Sequence, residues 1–427
     1  MIKLSTENTC YTGRAMLRFC LLLLLAVICT TGSCLAQSIV EKHGQLQVRG
    51  NRIVDKDGNP VQLRGMSFFW SQWIGKYYNH ETVKWLRDDW GCTVVRAAMA
   101  VDNGGYATNP DAEKAKVIAV VDAAIDLGIY VLIDFHVHEA HHYQAEALKF
   151  FEEMAQRYKD YPNVIYEPWN EPTDQSWATV IKPYHESVIE VIRKHDPDNI
   201  IVCGNRTWSQ RVDEAAANPI DRPNIAYTLH YYANTHKQWL RDAAKRALDL
   251  GAALFVTEYG TTDASGDGFV NEAESKLWWA FLDQHKISHL NWSVADKLES
   301  SAALKPGASA TGGWPLTELT QSGKLVRSEI RTKNAAASEP DPAPQPTGLS
   351  DKSGKPVEVS IVNPFSGSFN LQVKGPFSYQ IYNEMGQMLE QGKGTNETQV
   401  GSSLKSGLYI LKVQFRNKEE HIKLIKQ

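Results

Sequence analysis

The stretch "VIYEPWNEP", residues 164–172, runs from an apolar, β-favouring start into two glutamates, a tryptophan and an asparagine hemmed by prolines. Alone, such an ending reads as the polar close of a strand. The reading changes once the run is set among its neighbours, because seven others share its character. They are "VQLRGMSFF" (61–69), "TVVRAAM" (93–99), "YVLIDFH" (130–136), "NIIVCGN" (199–205), "IAYTLHYY" (225–232), "LFVTEYG" (254–260) and "SHLNWSV" (288–294), with "VIYEPWNE" (164–171) fourth in chain order. Between them lie amphipathic segments such as "DAEKAKVIAVVDAAIDLG" and "QAEALKFFEEMAQRYKD", with apolar residues at three-to-four spacing. Strand followed by helix eight times, with strands apolar on both faces, predicts an α/β fold closed into a (β/α)8 TIM barrel. The alternative, an open doubly wound sheet, would want a Gly-rich phosphate loop after the first strand, and none follows. Residues 45–59, with "DKDGNP" as a turn, read as a hairpin closing the barrel floor.

The chain has 427 residues, enough for one such barrel and a smaller domain. Lys+Arg 45 against Asp+Glu 49 gives a formal charge of -4, which argues against nucleic acid or a polybasic membrane surface as partner. Residues 14–36, "RAMLRFCLLLLLAVICTTGSCLA", place two arginines before a leucine run and small residues before Ala36, as in a secretory signal peptide spanning 1–36. Cys34 would suit a lipoprotein site, but Thr31 stands where an aliphatic residue is wanted. Four of the six cysteines lie in this leader; Cys92 and Cys203 sit in or beside apolar runs and read as buried thiols.

Composition changes at "AAASEPDPAPQPTG", 335–348, where four prolines among small and acidic residues make an extended linker. Beyond it, short alternating runs such as "FNLQV", "LYILKVQF" and "HIKLIKQ" predict a small all-β sandwich. The expected layout is a leader at 1–36, a catalytic barrel at 37–332, a Pro-rich linker at 333–348 and a β-sandwich at 349–427.

Strand C-terminal ends converge on one face of a barrel, where active sites form. The endings here are Arg96, His136, Asn170 with Glu171, His230 with Tyr232, Glu258, and Trp292. Each alone has an ordinary structural reading; their shared placement makes them one constellation. Two carboxylates facing across a cleft suit glycoside hydrolysis, one protonating the leaving oxygen while the other attacks the anomeric carbon or activates water. Arg96 and Tyr232 are placed to hold Glu258 ionised, whereas Glu171, with no such partner in its motif, is expected to stay protonated as the acid. Trp70, Trp73, Trp169, Trp208 and Trp292 all fall at or just beyond strand ends, where indoles could pack on the C–H faces of pyranose rings; helix-layer packing is the competing reading.

Taken together, "VVRAAM", "LIDFHVHEA", "IYEPWNEP", "YTLHYYANTH", "FVTEYGTTDASGDG" and "LNWSVADKLESSAAL" resemble glycoside hydrolase family 5, in its bacterial endo-β-1,4-glucanase (cellulase) branch, over residues 45–331. The resemblance implies a retaining mechanism on a β-glucan polysaccharide, with Glu171 as acid/base and Glu258 as nucleophile, and no cofactor. It also implies support from Arg96, His136, Asn170, His230 and Tyr232, with Asn170 on the sugar 2-hydroxyl. Trp73, Trp208 and Trp292 match glucose-stacking positions, and Lys297 and Glu299 match contacts to more distant sugars. One departure stands out: where the branch has His-Gly before "LQW", this chain has Phe69 and Trp70. At the C-terminus "NPFSGSF", "IYNEMGQML", "SGLYILKV" and "IKLIKQ" resemble the sorting domain of type IX secretion cargo, implying that machinery as partner and a secreted or surface location. A monomer with no membrane span after leader removal is expected.

Two metal readings compete. "HVHEAHH" supplies His136, His138, His141 and His142 at a strand end, but a metal-dependent barrel would want further ligands where Glu171 and Glu258 stand, so no catalytic metal is expected. "DASGDGFVNEAE", 263–274, has the spacing of a calcium loop, yet follows a strand; acids favouring the start of the next helix are the better account.

Overall fold

The computed structural model describes residues 37–338, 359–360, 365, 367–383, 387–415 and 418–426. The expected leader and the proline-bearing part of the linker lie outside the described residues. Contacts divide the chain into two compact units, parting between Ser338 and Glu339.

The first unit begins with a hairpin of β1 (Gln47–Arg49) and β2 (Arg52–Val54). Its turn falls at Gly50 and Asn51, not at "DKDGNP", which instead forms a second turn bringing Pro60 back against Val54. Eight parallel strands follow: β3 (Arg64–Phe68), β4 (Val94–Ala100), β5 (Tyr130–His136), β6 (Val164–Glu167), β7 (Ile201–Cys203), β8 (Ile225–Tyr232), β9 (Leu254–Gly260) and β10 (Ser288–Val294), with β10 pairing β3 to close the barrel. β6 is shorter than its sequence run because Pro168 has no N–H to offer the ladder, so Asn170 and Glu171 stand just past the strand.

The period-two alternation of the strands sorts their side chains into two sets. One set, including Val95, Met99, Ile133, Phe135, Tyr166, Leu229 and Tyr231, faces the helices in the outer core. The other points into the barrel and is layered. Val94, Leu132, Ile165, Val202, Ala226, Phe255 and Leu290 form the floor, with Leu46 and Ile53 from the hairpin segment packed beneath. Two residues further along β4, β5, β6 and β8 come Arg96, Asp134, Glu167 and Thr228, a polar layer buried to full exclusion of solvent. The next step up brings His136 and His230 to the rim.

Strand β9 breaks this parity. Val256 faces the helices, so Glu258 two residues on should as well. Both neighbouring ladders show an extra β9 residue: Thr228 pairs Phe255 while His230 pairs Glu258, and His289 pairs Val256 while Asn291 pairs Tyr259. This bulge lets Thr257 and Glu258, consecutive in sequence, both face inward.

The helices follow the expected periodicity. Helix Gln144–Tyr158 buries Ala147, Phe150, Phe151, Met154, Ala155 and Tyr158 on one face. The "DASGDGFVNEAE" loop leads into helix Glu272–His285, whose first turn carries Glu272 and Glu274 and whose N-cap is Asn271. Glu274 pairs with Arg241 at 2.5 Å and Asp263 accepts from Asn234 at 2.5 Å, so these acids answer to protein donors. Among the described residues no helix is long and apolar enough to cross a membrane.

In the second unit β11 (Val359–Ser360), β12 (Phe369–Asn383), β13 (Met388–Val400), β14 (Gly407–Phe415) and β15 (Lys418–Lys426) form one five-stranded antiparallel sheet. β12 is long enough to pair β11 through its first half and β14 through its second, with a register break between Val373 and Pro376. The sandwich read from the sequence is therefore an all-β region whose described strands share one sheet. Phe369, Leu371, Ile381, Leu411, Val413 and Leu424 build its own small core.

The last helix of the barrel unit, Gln321–Ser338, runs through residues 333–338 that composition assigns to the linker. Asn334 is buried there, accepting from Arg64 at 3.2 Å and donating to the Gly91 carbonyl at 2.8 Å, while Lys333 pairs with Asp283 at 2.5 Å. A chain ending at Thr332 should therefore be less stable than one ending at Ser338 by about 1–3 kcal/mol, the cost of leaving such buried groups unpaired. Urea unfolding of the two truncated chains measures this; coincident midpoints would show that the extension is structurally idle.

Candidate active site

The polar layer is organised by one side chain. Arg96 is fully buried and donates through Nε to Glu167 at 2.8 Å, through Nη1 to Glu258 at 3.1 Å, and through Nη2 to Asn170 at 2.5 Å, with Asp134 2.9 Å from the same Nη2. One guanidinium thus faces three carboxylates. A single positive charge cannot offset three buried negative ones, so a proton is retained nearby. Burial pushes Asp134 up to about 7 despite Arg96, and pushes Glu167 above its ordinary range as well. His136 sits 2.6 Å from Asp134 through Nδ1, and burial together with Arg96 drives its pKa well down, so this imidazole is neutral.

Above Arg96 stand the two glutamates of the cleft. Both oxygens of Glu258 are engaged, one by Arg96 and the other by the Tyr232 hydroxyl at 2.8 Å. Glu171 is not the partnerless group its motif suggests. Its Oε1 lies 2.8 Å from His230 Nδ1 and its Oε2 lies 3.2 Å from His138 Nε2. Burial alone would raise this carboxyl, but the hydrogen bonds to the two imidazoles pull it below the usual range, against the expectation of a partnerless acid. His138 is raised by the same contact; His230 is raised too, the carboxylate outweighing burial. The partners come from residues 33 and 59 positions away, beyond the reach of any local motif.

His230 is itself fixed. Its Nε2 meets Thr257 Oγ1 at 2.8 Å, and that hydroxyl donates to Glu167 at 2.6 Å, so Nε2 must be the donor to Thr257. The remaining proton of the pair then lies between His230 Nδ1 and Glu171.

The cleft holds about 300 Å³ and is lined by Phe69, Trp70, His136, His138, Asn170, Glu171, Tyr232, Glu258, Trp292, Lys297 and Glu299, with residues 264–266 at its edge. Trp292 stacks on His136 at 5.0 Å between ring centres and Lys297 pairs with Glu299 at 2.5 Å. Two of the proposed stacking indoles, Trp73 and Trp208, are not part of that lining. Trp73 is 57% exposed and packs on Trp70, whereas Trp208, 47% exposed, sits at a left-handed turn tied to the Pro172 carbonyl at 2.8 Å. Trp169 is fully buried, donating to the His138 carbonyl at 3.0 Å, and belongs to the packing. Trp70 fills the space beside His136, edge-on at 4.2 Å, where the Phe69-Trp70 departure had pointed.

The four histidines of "HVHEAHH" do not converge. His136 serves Asp134 and His138 serves Glu171, while His141 and His142 turn toward Glu139. Asp134, Glu167, Thr228 and Thr257 were not singled out from the sequence. The signal was present in the first two: an acid inside an apolar run, at the same strand parity as the rim residue of its own strand or a neighbour.

A (β/α)8 barrel with paired glutamates, a buried arginine and exposed indoles at the C-terminal face is the architecture of a glycoside hydrolase. Residues 54–298 match the model of the cellulase family, glycosyl hydrolase family 5, and the chain belongs to that family. It is 49% identical to Endoglucanase A of Evansella cellulosilytica over 310 residues, covering 71% of this chain and 63% of that protein, so it spans less than two thirds of that relative. A solved structure from Cytophaga hutchinsonii is 60% identical with TM-score 0.70, covering 70% of this chain and 98% of that one. The catalytic domain of Thermobifida fusca endoglucanase Cel5A is 36% identical with TM-score 0.66, covering 69% and 99%. Residues 363–427 match the secretion system C-terminal sorting domain, which places the protein outside the cell or on its surface.

Asp134 supplies a test of the charge balance. Its folded pKa lies above the 3.8 of the free group, so its contribution to stability is fully present below about pH 4 and is lost as pH rises through 7. Relative to Asp134→Asn, the native protein should lose stability across that window. Urea midpoints from pH 4 to 7.5 read it; a constant difference would place the proton elsewhere.

Proposed function

We propose that this chain is an endo-β-1,4-glucanase that cleaves internal bonds of cellulose and related β-glucans with retention of configuration. What carries the reading is the approach of the two glutamates: one carboxylate oxygen of Glu171 and one of Glu258 lie within 4.8 Å of each other. Retaining glycosidases hold their carboxyls about 5–5.5 Å apart, whereas inverting ones leave roughly 6.5–9.5 Å for a water.

Glu258 is the nucleophile. Arg96 and Tyr232 each donate to one of its oxygens, orienting a carboxylate toward the anomeric carbon. As the glycosidic bond breaks, the proton shared by His230 and Glu171 passes from Glu171 to the leaving oxygen. Water then enters, gives its proton to Glu171, and its oxygen displaces Glu258 from the glycosyl-enzyme, restoring both groups. Asn170 suits the 2-hydroxyl: its Oδ1 is held by Arg96, which fixes the amide, and its buried Nδ2 has no partner in the protein. Trp292, Lys297 and Glu299 line the cleft beside the nucleophile and suit the bound sugar and those beyond it; Trp73, exposed and packed on Trp70, and Trp208, whose N–H bonds the Pro172 carbonyl, are the candidates for stacking further sugars.

The relatives support the substrate class, since the curated proteins are named endoglucanases and a variant of the Thermobifida fusca enzyme was solved with cellotetraose. The sorting domain and the leader expected at 1–36 point to the type IX secretion machinery as the transport partner.

Release of reducing sugar from carboxymethylcellulose, lichenan, mannan and xylan tests the activity, with the β-glucans expected to lead. Glu258→Ala should abolish turnover on all of them. Glu171→Ala should lose about 10²–10⁴ on unactivated glucans yet still form the intermediate from aryl glucosides, whose leaving groups need no acid. Added azide should then give the β-glucosyl azide; an α-product from Glu171→Ala would overturn the assignment.

A further inference from the structure

The second half of "HVHEAHH" is not used by the catalytic cleft. After His138 the chain folds into a 3₁₀ turn, Ala140–Tyr143, that carries His141 and His142 toward Glu139. One ligating atom from each of these three residues lies within 4.8 Å of the others, and none of the three lines the cleft.

Two of the three are already held. Glu139 accepts from the Thr173 hydroxyl at 3.0 Å through Oε1 and from the Gln175 amide at 2.7 Å through Oε2. His141 stacks on Trp169 at 5.4 Å between ring centres, with planes 23° apart. Its Nδ1 is shielded from solvent, has no hydrogen-bond partner, and stands 3.7 Å from Glu139 Oε2, too far to bond directly. Burial and the neighbouring His142 lower the pKa of His141, keeping a free lone pair on the ring. His142 is exposed, with its ring centre 4.0 Å from that of His141, so it can swing without disturbing the core.

We propose that Glu139, His141 and His142 bind one divalent transition-metal ion of the zinc type, with water completing the shell. Bonds of about 2.0–2.2 Å in a tetrahedron place ligand atoms roughly 3.4 Å apart, a closure that rotation of His142 supplies. Two imidazoles with a carboxylate select zinc, copper or nickel over calcium or magnesium. Thr173 and Gln175 are the outer-shell donors that fix the carboxylate. The ion would join the segment after β5, which carries His138, to the segment around Glu171, through Trp169 on one side and Thr173 and Gln175 on the other. It braces the site and takes no part in bond cleavage. Binding to the folded state alone raises its stability.

The full chain without an affinity tag, stripped with EDTA and dialysed, is titrated with zinc chloride by calorimetry while its thermal midpoint is followed. The native chain should take up zinc with a rise in midpoint, and turnover on soluble glucan should survive the stripping. His142→Ala should weaken uptake by at least about tenfold, the loss that even outer-shell changes produce. The double variant His141→Ala/His142→Ala should bind one equivalent fewer and lose the midpoint rise, with an unchanged circular dichroism spectrum. Glu171, His230 and Glu258 also bring ligating atoms within 4.8 Å, so Glu258→Gln is titrated in parallel and should keep the equivalent that the double variant lacks. Absence of uptake, uptake unchanged in the double variant, or loss of that equivalent in Glu258→Gln would each overturn the proposal.

Discussion

The site depends on Arg96. Its guanidinium, closed off from solvent inside the barrel, reaches Asp134 on β5, Glu167 on β6, Glu258 on β9 and Asn170 beyond β6. A planar fork of five donors is the one side chain able to satisfy so many acceptors at fixed angles. Because the charges are desolvated, each contact is stiff, and removing the arginine would strand several acids at once. The arrangement sets an order of roles: Asp134 and Glu167 anchor the arginine from within its own layer, and the arginine holds Glu258 and Asn170 toward the cleft.

Glu258 gets there through a backbone irregularity. Regular alternation along β9 would turn it toward the helices with Val256, and the extra residue in β9 turns it inward instead. Thr257 faces in by ordinary alternation from Phe255, and there it joins Glu167 to His230. Glu258 therefore reaches the cleft because of one local feature of the backbone. Glu171 is aimed differently, by standing past a strand that Pro168 ends, where His138 and His230 can reach it from two sides.

The barrel was legible because eight apolar runs with helical spacers leave few topologies open, and β5, β8, β9 and β10 fall where their runs were read. The rim constellation was legible for a related reason: strand ends in a closed barrel share one face whatever their sequence separation. The state of Glu171 was not. Its motif shows no basic neighbour, and the two imidazoles arrive from other segments, so a group expected to have no partner is hydrogen-bonded to both. The histidine run was likewise ambiguous, since adjacency in sequence did not reveal that a 3₁₀ turn divides it between two environments. Trp169, for which stacking and packing both stood open, is packing, because position at a strand end does not fix which way an indole turns.

The sequence by itself determined the barrel, the β-rich tail and the residue types that stand at the strand ends, since periodicity and residue type are local properties written along the chain. The three-dimensional fold decided protonation, orientation and company: the proton shared by Glu171 and His230, the inward turn of Glu258, and the acids around Arg96. Those follow from distances of about 3 Å between residues far apart in sequence and from exclusion of water around them, and electrostatic strength in a buried site is set by both.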